Sequence, residues 1–226
     1  MELASATWTD VDRAARRLLV VPLGSLEQHG PHLPMDTDLR VAAAVADRAC
    51  AGRDGVGVAP GVPIGASGEH AGFPGTLSVG TDALAAYLTE LGRHASRDWP
   101  ALLLVNAHGG NGPAVEAAVS LLAYEGRRAH AWHAAVPGGD AHAGRTETSL
   151  MLAIAPDTVR LNEAESGNTE STADLMPRMR AEGVRAVSPN GVLGDPAGAT
   201  PEEGQRLLTA LTARLTRAIE RAVVSD

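Results

Sequence analysis

Val20–Asp38 reads VVPLGSLEQHGPHLPMDTD, a strand end running into a dense cluster of polar residues. Its apolar start runs from Leu18 to Leu23 and closes on Gly24-Ser25. A short apolar run bounded by turn residues marks a fully buried strand. Glu27, His29, His32, Asp36 and Asp38 follow, and Gly30, Pro31 and Pro34 bend the chain among them. In open α/β sheets, ligands sit just beyond the carboxyl ends of strands. The sequence thus places oxygen and imidazole donors where an α/β enzyme builds its site. Glu27 and His29 share a face of an extended segment, whereas Asp38 joins them only if the intervening loop folds back. Two carboxylates and an imidazole suit Zn, Mn or Fe(II). The plainer alternative is a polar loop with Asp36 or Asp38 as the N-cap of the next helix.

Outward from this stretch, the 226 residues suffice for one α/β domain, 1–226, with a sizeable core. Aromatics are only 3%, so that core must be built from Ala, Val and Leu. A net charge of −8 disfavours nucleic acid and anionic membranes as partners. The lone cysteine, Cys50, allows no internal disulfide and fits a buried position in a cytoplasmic protein. The first apolar run is too short for a signal peptide or a membrane span.

Along the chain the pattern predicts a short helix from Thr9, a strand at Leu18–Gly24 and a helix at Asp38–Ala51. A strand at Val56–Pro60 precedes a long Gly/Pro-rich loop, 61–80, of the kind that usually carries function. A helix opens at Thr81-Asp82. Ala101–Val105 is the most apolar strand, hence central. A helix at Asn111–Tyr124, a strand at Arg128–Ala135 and a helix ending before Pro156 follow. Residues 157–199 read as irregular apart from a helix near Thr172–Glu182. Thr200, Pro201 and Glu203 predict a capping box at the start of the last helix. Alternating strands and helices argue for a mostly parallel sheet with helices on both faces.

Two more polar clusters follow strands. Asn106–Gly112, NAHGGNG, sets His108 among glycines that admit close backbone approach, ahead of a helix N-terminus with free N–H groups. A tight turn with an incidental histidine is the alternative. Asp140–Ser149, DAHAGRTETS, carries His142 in a loop and Glu147 in a helical first turn, where Glu147 also suits the helix dipole. His94 reads as solvent-exposed and His130 as a packing residue of a strand; His133, near that strand's carboxyl end, reads as packing with a pocket role as the alternative.

Together EQHGPHLP, NAHGGN and HAGRTETS resemble the creatininase family of metal-dependent amidohydrolases. SGEHAGFPGTLSVG, DAHAGRTETSLML and SPNGVLGDPAGAT extend the resemblance over nearly the whole chain. They are most similar to members that trim a modified precursor peptide in redox-cofactor biosynthesis. The resemblance implies a single-domain three-layer α/β/α sandwich and a closed symmetric homo-oligomer. It implies two divalent ions per chain, Fe(II) or Zn first and Mn also suited. Glu27, His29, Asp38 and His108 fall on ligand positions, with Asp38 bridging. Creatinine-hydrolysing members carry a glutamate where this chain has Gly110, so Glu147 is the expected replacement ligand. Asp38, Glu147 and His142 form the implied catalytic set, with His142 as proton donor or oxyanion stabiliser. Gly109, Gly110, Glu69, His70 and Phe73 are expected at the substrate. His32 and Asp36 are expected behind the ligands, orienting them through hydrogen bonds.

Three readings of function follow. The first is a peptidase releasing a Val-Tyr-derived C-terminal fragment from a modified precursor peptide. The second is a small-molecule amidohydrolase acting on creatinine or a formamide-type substrate, with creatinine disfavoured by Gly110. The third is a non-catalytic metal-binding scaffold.

Overall fold

The computed structural model describes residues 1–224. In chain order it contains α1 (Trp8–Arg13), β1 (Leu18–Leu23), α2 (Thr37–Cys50), β2 (Val56–Val58), α3 (Thr81–Ala95) and β3 (Ala101–Asn106). Then come α4 (Gly112–Tyr124), β4 (Arg128–His133), α5 (Arg145–Ile154), α6 (Thr172–Glu182), α7 (Val184–Val187) and α8 (Pro201–Val224). The four strands form one parallel sheet in the order β2-β1-β3-β4.

Alternation along the central strands creates two cores, because successive strand side chains point to opposite faces. Leu18 and Val20 of β1 join Leu103 and Val105 of β3 against α2, α5 and α8, with Val41, Val45, Met151, Leu208, Leu211 and Leu215. Leu19, Val21 and Leu23 join Leu102 and Leu104 against α3 and α4, with Leu84, Leu88, Val115 and Leu122. The result is the expected three-layer sandwich. Each such aliphatic side chain, fully buried, contributes about 1.5–3 kcal/mol. Cys50 is buried in the first core, and burial pushes its thiol up to about 11.

Two local expectations need correction. The first helix begins at Trp8 rather than Thr9, because Thr7 and Asp10 form a reciprocal capping box. At α8 the box is only half made. Thr200 Oγ1 accepts from Glu203 N at 3.1 Å. The Glu203 carboxylate instead accepts from Arg145 Nε at 2.7 Å and Ser149 Oγ at 3.2 Å. A charged partner on α5 outcompetes a neutral backbone N–H, and the exchange ties α8 to α5.

Chain connections leave β1 toward β2 on one side and reach β3 on the other. The carboxyl ends of β1 and β3 therefore flank the point where strand order reverses, the crevice where α/β sheets bind ligands.

Candidate active site

After β1 the backbone doubles back on itself. Leu26 bridges Leu77, His29 bridges Leu33, and Glu27 N donates to Met35 O at 3.0 Å. Gly30 takes φ +64°, which a side chain would oppose. This turn carries Asp38, in the first turn of α2, back to the motif that precedes it. Asp36 occupies the N-cap position without a side-chain cap bond.

Asp38 lies between two imidazoles. Its Oδ1 is 3.2 Å from His29 Nε2, its Oδ2 is 3.3 Å from His108 Nδ1, and Ser25 Oγ donates to Oδ2 at 2.6 Å. Glu27 Oε2 is 3.2 Å from His108 Nε2. Glu147 Oε2 stands 4.0 Å from His29 Nε2 and accepts from Ala143 N at 2.6 Å. Ala143 is buried at φ 52°, a left-handed conformation that only surrounding structure makes tolerable. That turn lets His142 and Glu147, on either side of it, face the same centre. Donor atoms of Glu27, Asp38 and His108 lie within 4.8 Å of one another, as do those of His29, Asp38 and Glu147. Asp38 belongs to both groups. A third group joins Glu27, His29 and His142.

The donor set fits a cation on a further observation. Both carboxylate oxygens of Glu27 are buried and lack a hydrogen-bond partner. Leaving a buried carboxylate unpaired is costly. In the protein alone the histidines supply the compensating charge. Burial opposes protonation of His29, yet Asp38 beside it raises the ring to about 10. Burial likewise opposes His108, and Glu27 overcomes it. Burial would raise Glu27, but His108 holds it at about 2. Asp38 is held well below the usual carboxylate range against its burial, chiefly by His29. Glu147 goes the other way, to about 7, because burial outweighs His29. Burial lowers His70 to about 4 and His142 to about 3, so both rings are neutral at pH 7. His29 Nδ1 lies 3.1 Å from Glu27 O, an acceptor. That bond leaves Nε2 toward Asp38, the orientation usual for a metal-ligating histidine.

The other expected residues divide. Glu69 and His70 stand beside the centre, Glu69 Oε1 at 3.5 Å from His108 Nε2 and His70 Nε2 at 3.4 Å from Glu27 Oε1. Gly109 lines the cleft. Gly110 has no room for a side chain, because a Cβ there would strike Glu69 Oε1, His108 Nε2 and, at 2.5 Å, Ala66 O. Phe73 is not at the site. It packs with Leu175, Val184, Val187 and Leu193, under the Arg185 guanidinium, since these give its ring apolar cover. Asp36 does not orient a ligand either. Its carboxylate accepts from Arg40 Nε at 2.7 Å, a partner one turn along the same helix. His32 is buried and bonds through Nε2 to Thr148 Oγ1 at 2.8 Å, bracing α5 next to Glu147. Its ring is lowered by burial and by His29.

Sequence reasoning gave no role to Asn106, Asn111 or Gln28. Buried Asn111 ties the site's segments together: Oδ1 accepts from Ala66 N at 2.8 Å, and Nδ2 donates to Gly24 O at 2.9 Å and Asn106 Oδ1 at 3.1 Å. Asn106 Nδ2 donates to His108 O at 2.7 Å and lies 3.1 Å from His133 Nδ1. His133 lines the cleft, the pocket alternative its place at the strand end had left open. Gln28, between Glu27 and His29, contacts His70 and His142. The two asparagines flanking HGG were the available signal. The cleft measures about 370 Å³ and includes Asp38, His108, Gly109, Asp140 and Glu147. It shares Gly139, Asp140, Ala141 and Thr146 with an adjoining groove of about 790 Å³.

A parallel sheet of this order, with carboxylate–imidazole groups that could hold metal ions at the reversal of strand order, defines an α/β protein with a candidate metal centre. The chain belongs to the creatininase family, whose sequence model, described as creatinine amidohydrolase, matches residues 4–219. It is 56% identical over 200 residues to the mycofactocin precursor peptide peptidase of Mycolicibacterium smegmatis, covering 86% of this chain and 81% of that protein. The protein of the same name from Mycobacterium tuberculosis is 45% identical over 229 residues, covering 97% and 91%. Among solved structures, a zinc–zinc form of a creatininase variant superposes with TM-score 0.82 at 25% identity, covering 99% of this chain and 98% of that one. A manganese creatininase does so at 0.80 and 26%, covering 99% of both chains.

Proposed function

We propose that this chain is a metal-dependent peptidase that releases the C-terminal Val-Tyr-derived fragment from a modified precursor peptide in mycofactocin biosynthesis. The observation that carries the proposal is the sharing of Asp38 by the Glu27–Asp38–His108 and His29–Asp38–Glu147 groups. The mixed oxygen and imidazole donors suit zinc, manganese and iron(II) alike.

When bound, two divalent ions supply Lewis acidity and lower the pKa of water at the site to roughly 7. Asp38, common to both donor groups, would serve both ions, with Ser25 Oγ fixing one of its oxygens. Glu27 and His108 would complete one set, His29 and Glu147 the other. Gly109, open to the cleft, offers its backbone to the substrate's terminal carboxylate or scissile oxygen. His70 and His142 flank Glu27 at 3.4 and 3.7 Å, and on this reading they manage charge and protons at the reacting amide.

The cleft's continuity with a larger groove favours a peptide over a compact ring such as creatinine. The buried, cytoplasm-compatible Cys50 accords with an intracellular setting. Exposed Tyr87, Leu121 and Tyr124 on the α3–α4 layer support a closed homo-oligomer, which light scattering would measure. Mass spectrometry of a precursor peptide ending in Val-Tyr, incubated with metal-loaded protein, tests the function. Release of the terminal fragment is expected. Turnover of creatinine without peptide cleavage would favour the small-molecule reading.

A further inference from the structure

Gln28 is buried between Glu27 and His29, and no role above uses it. Its amide orientation is determined by its neighbours. Gly30 N–H, which can only donate, meets Oε1 at 2.9 Å, so the NH2 end faces the other way. That end lies 3.0 Å from Gly191 O, 2.9 Å from His70 Nδ1 and 3.0 Å from His142 Nε2. His142 Nε2 is also 2.7 Å from the backbone oxygen of Gln28, which can only accept. His142 Nε2 therefore carries a proton, while Nδ1, 3.7 Å from Glu27 Oε1, has no acceptor within hydrogen-bond distance that would call for one. Two acceptors, Gly191 O and His70 Nδ1, remain for the two amide hydrogens.

Both rings thus carry their proton on Nε2, but they turn opposite nitrogens toward the centre. His142 presents a bare Nδ1, 3.7 Å from Glu27 Oε1. His70 presents Nε2–H, 3.4 Å from the same oxygen. We infer that Gln28 is a positioning residue that locks His142 as a lone-pair acceptor and His70 as an N–H donor on the Glu27 side of the centre. The turn that holds Gln28 is built for it. Gly191 sits at φ +83°, and a Cβ there would overlap Gln28 Oε1. For catalysis, which rests on the hydrolytic reading above, the consequence is a reassignment. Donation to a developing oxyanion falls to His70, and His142 serves as ligand or proton acceptor instead of the proton donor expected from the sequence.

The test is a long-range proton–nitrogen correlation spectrum of the histidine rings in the zinc-loaded full chain, for the unaltered protein and Gln28→Glu. In the unaltered protein, both His70 and His142 are expected to be protonated on Nε2, with His142 Nδ1 bare or zinc-shifted. Gln28→Glu keeps an acceptor for Gly30 but cannot donate to His70 Nδ1. Its His70 proton is expected to move to Nδ1, and kcat on the peptide to fall on the order of 10²-fold with KM and zinc content unchanged. A proton on His142 Nδ1 in the unaltered protein overturns the inference, even if the variant fails to fold. So does a Gln28→Glu protein with the His70 tautomer unchanged. Tautomers as stated in a protein that cleaves no peptide or amide would uphold the lock and sink the hydrolase reading.

Discussion

The carboxylate of Glu69 occupies the space that a side chain at Gly110 would need. Glu69 Oε1 stands 3.5 Å from His108 Nε2, and burial raises its pKa. The space beside His108 is thus taken by a carboxylate from the 61–80 loop, while Glu147 is the carboxylate grouped with His29 and Asp38.

Gly110→Ala should therefore damage the site. Its Cβ meets backbone at Ala66 as well as two site side chains, so relaxation is restricted. Overpacking of this kind costs about 1–3 kcal/mol. A lowered Tm and reduced metal retention are expected. Gly109→Ala is the control, because a Cβ there meets nothing within 4 Å. Equal behaviour of the two variants would remove the packing argument.

Glu147→Gln separates ligation from helix-dipole stabilisation. As a ligand beside His29 and Asp38, Glu147 should account for about one metal equivalent per chain when altered, with circular dichroism unchanged. Unaltered metal content would leave Glu147 only its favourable place in the first turn of α5.

The architecture was legible in the sequence because its signals are local. Leu18–Leu23 and Ala101–Asn106 are apolar runs closed by turns, and both became central strands. The α6 range, Thr172–Glu182, is as expected. The ligand-type residues were legible because they cluster after those strands. What escaped depends on contacts between distant segments. Nothing near Phe73 announces that α6 and α7 will cover it, and nothing near Gly110 announces Glu69. Asp36 and Asp38 are two residues apart and chemically alike. Only the fold decides that one pairs with Arg40 and the other lies between His29 and His108.

Metal-free and metal-loaded protein should differ in pH dependence. His29 is raised from its ordinary 6.5 to about 10 when no cation is present. A raised histidine stabilises the fold fully below its unfolded pKa and loses that contribution as pH rises through the folded value. Chelator-treated protein should thus lose about 1.4 kcal/mol per pH unit from this group between pH 7 and 9. Zinc-loaded protein, with His29 already neutral, should not. Parallel Tm–pH curves for the two forms would show that His29 is not protonated in the metal-free protein.

Asp38→Ala should lose most bound metal and all hydrolysis, because one carboxylate belongs to both donor groups. Ser25→Ala should be milder, since it removes one 2.6 Å hydrogen bond to Asp38 Oδ2 and leaves the ligand. A variant lacking Asp38 with full metal content would end the bridging assignment.

A metal titration tests whether a shared two-metal centre hydrolyses the peptide. Metal-stripped protein is titrated with zinc while release of the terminal fragment from a Val-Tyr-ended precursor peptide is followed. Activity should be absent at the start and should level off at two equivalents per chain. Cleavage by the stripped protein, or a plateau at one equivalent, would contradict the account.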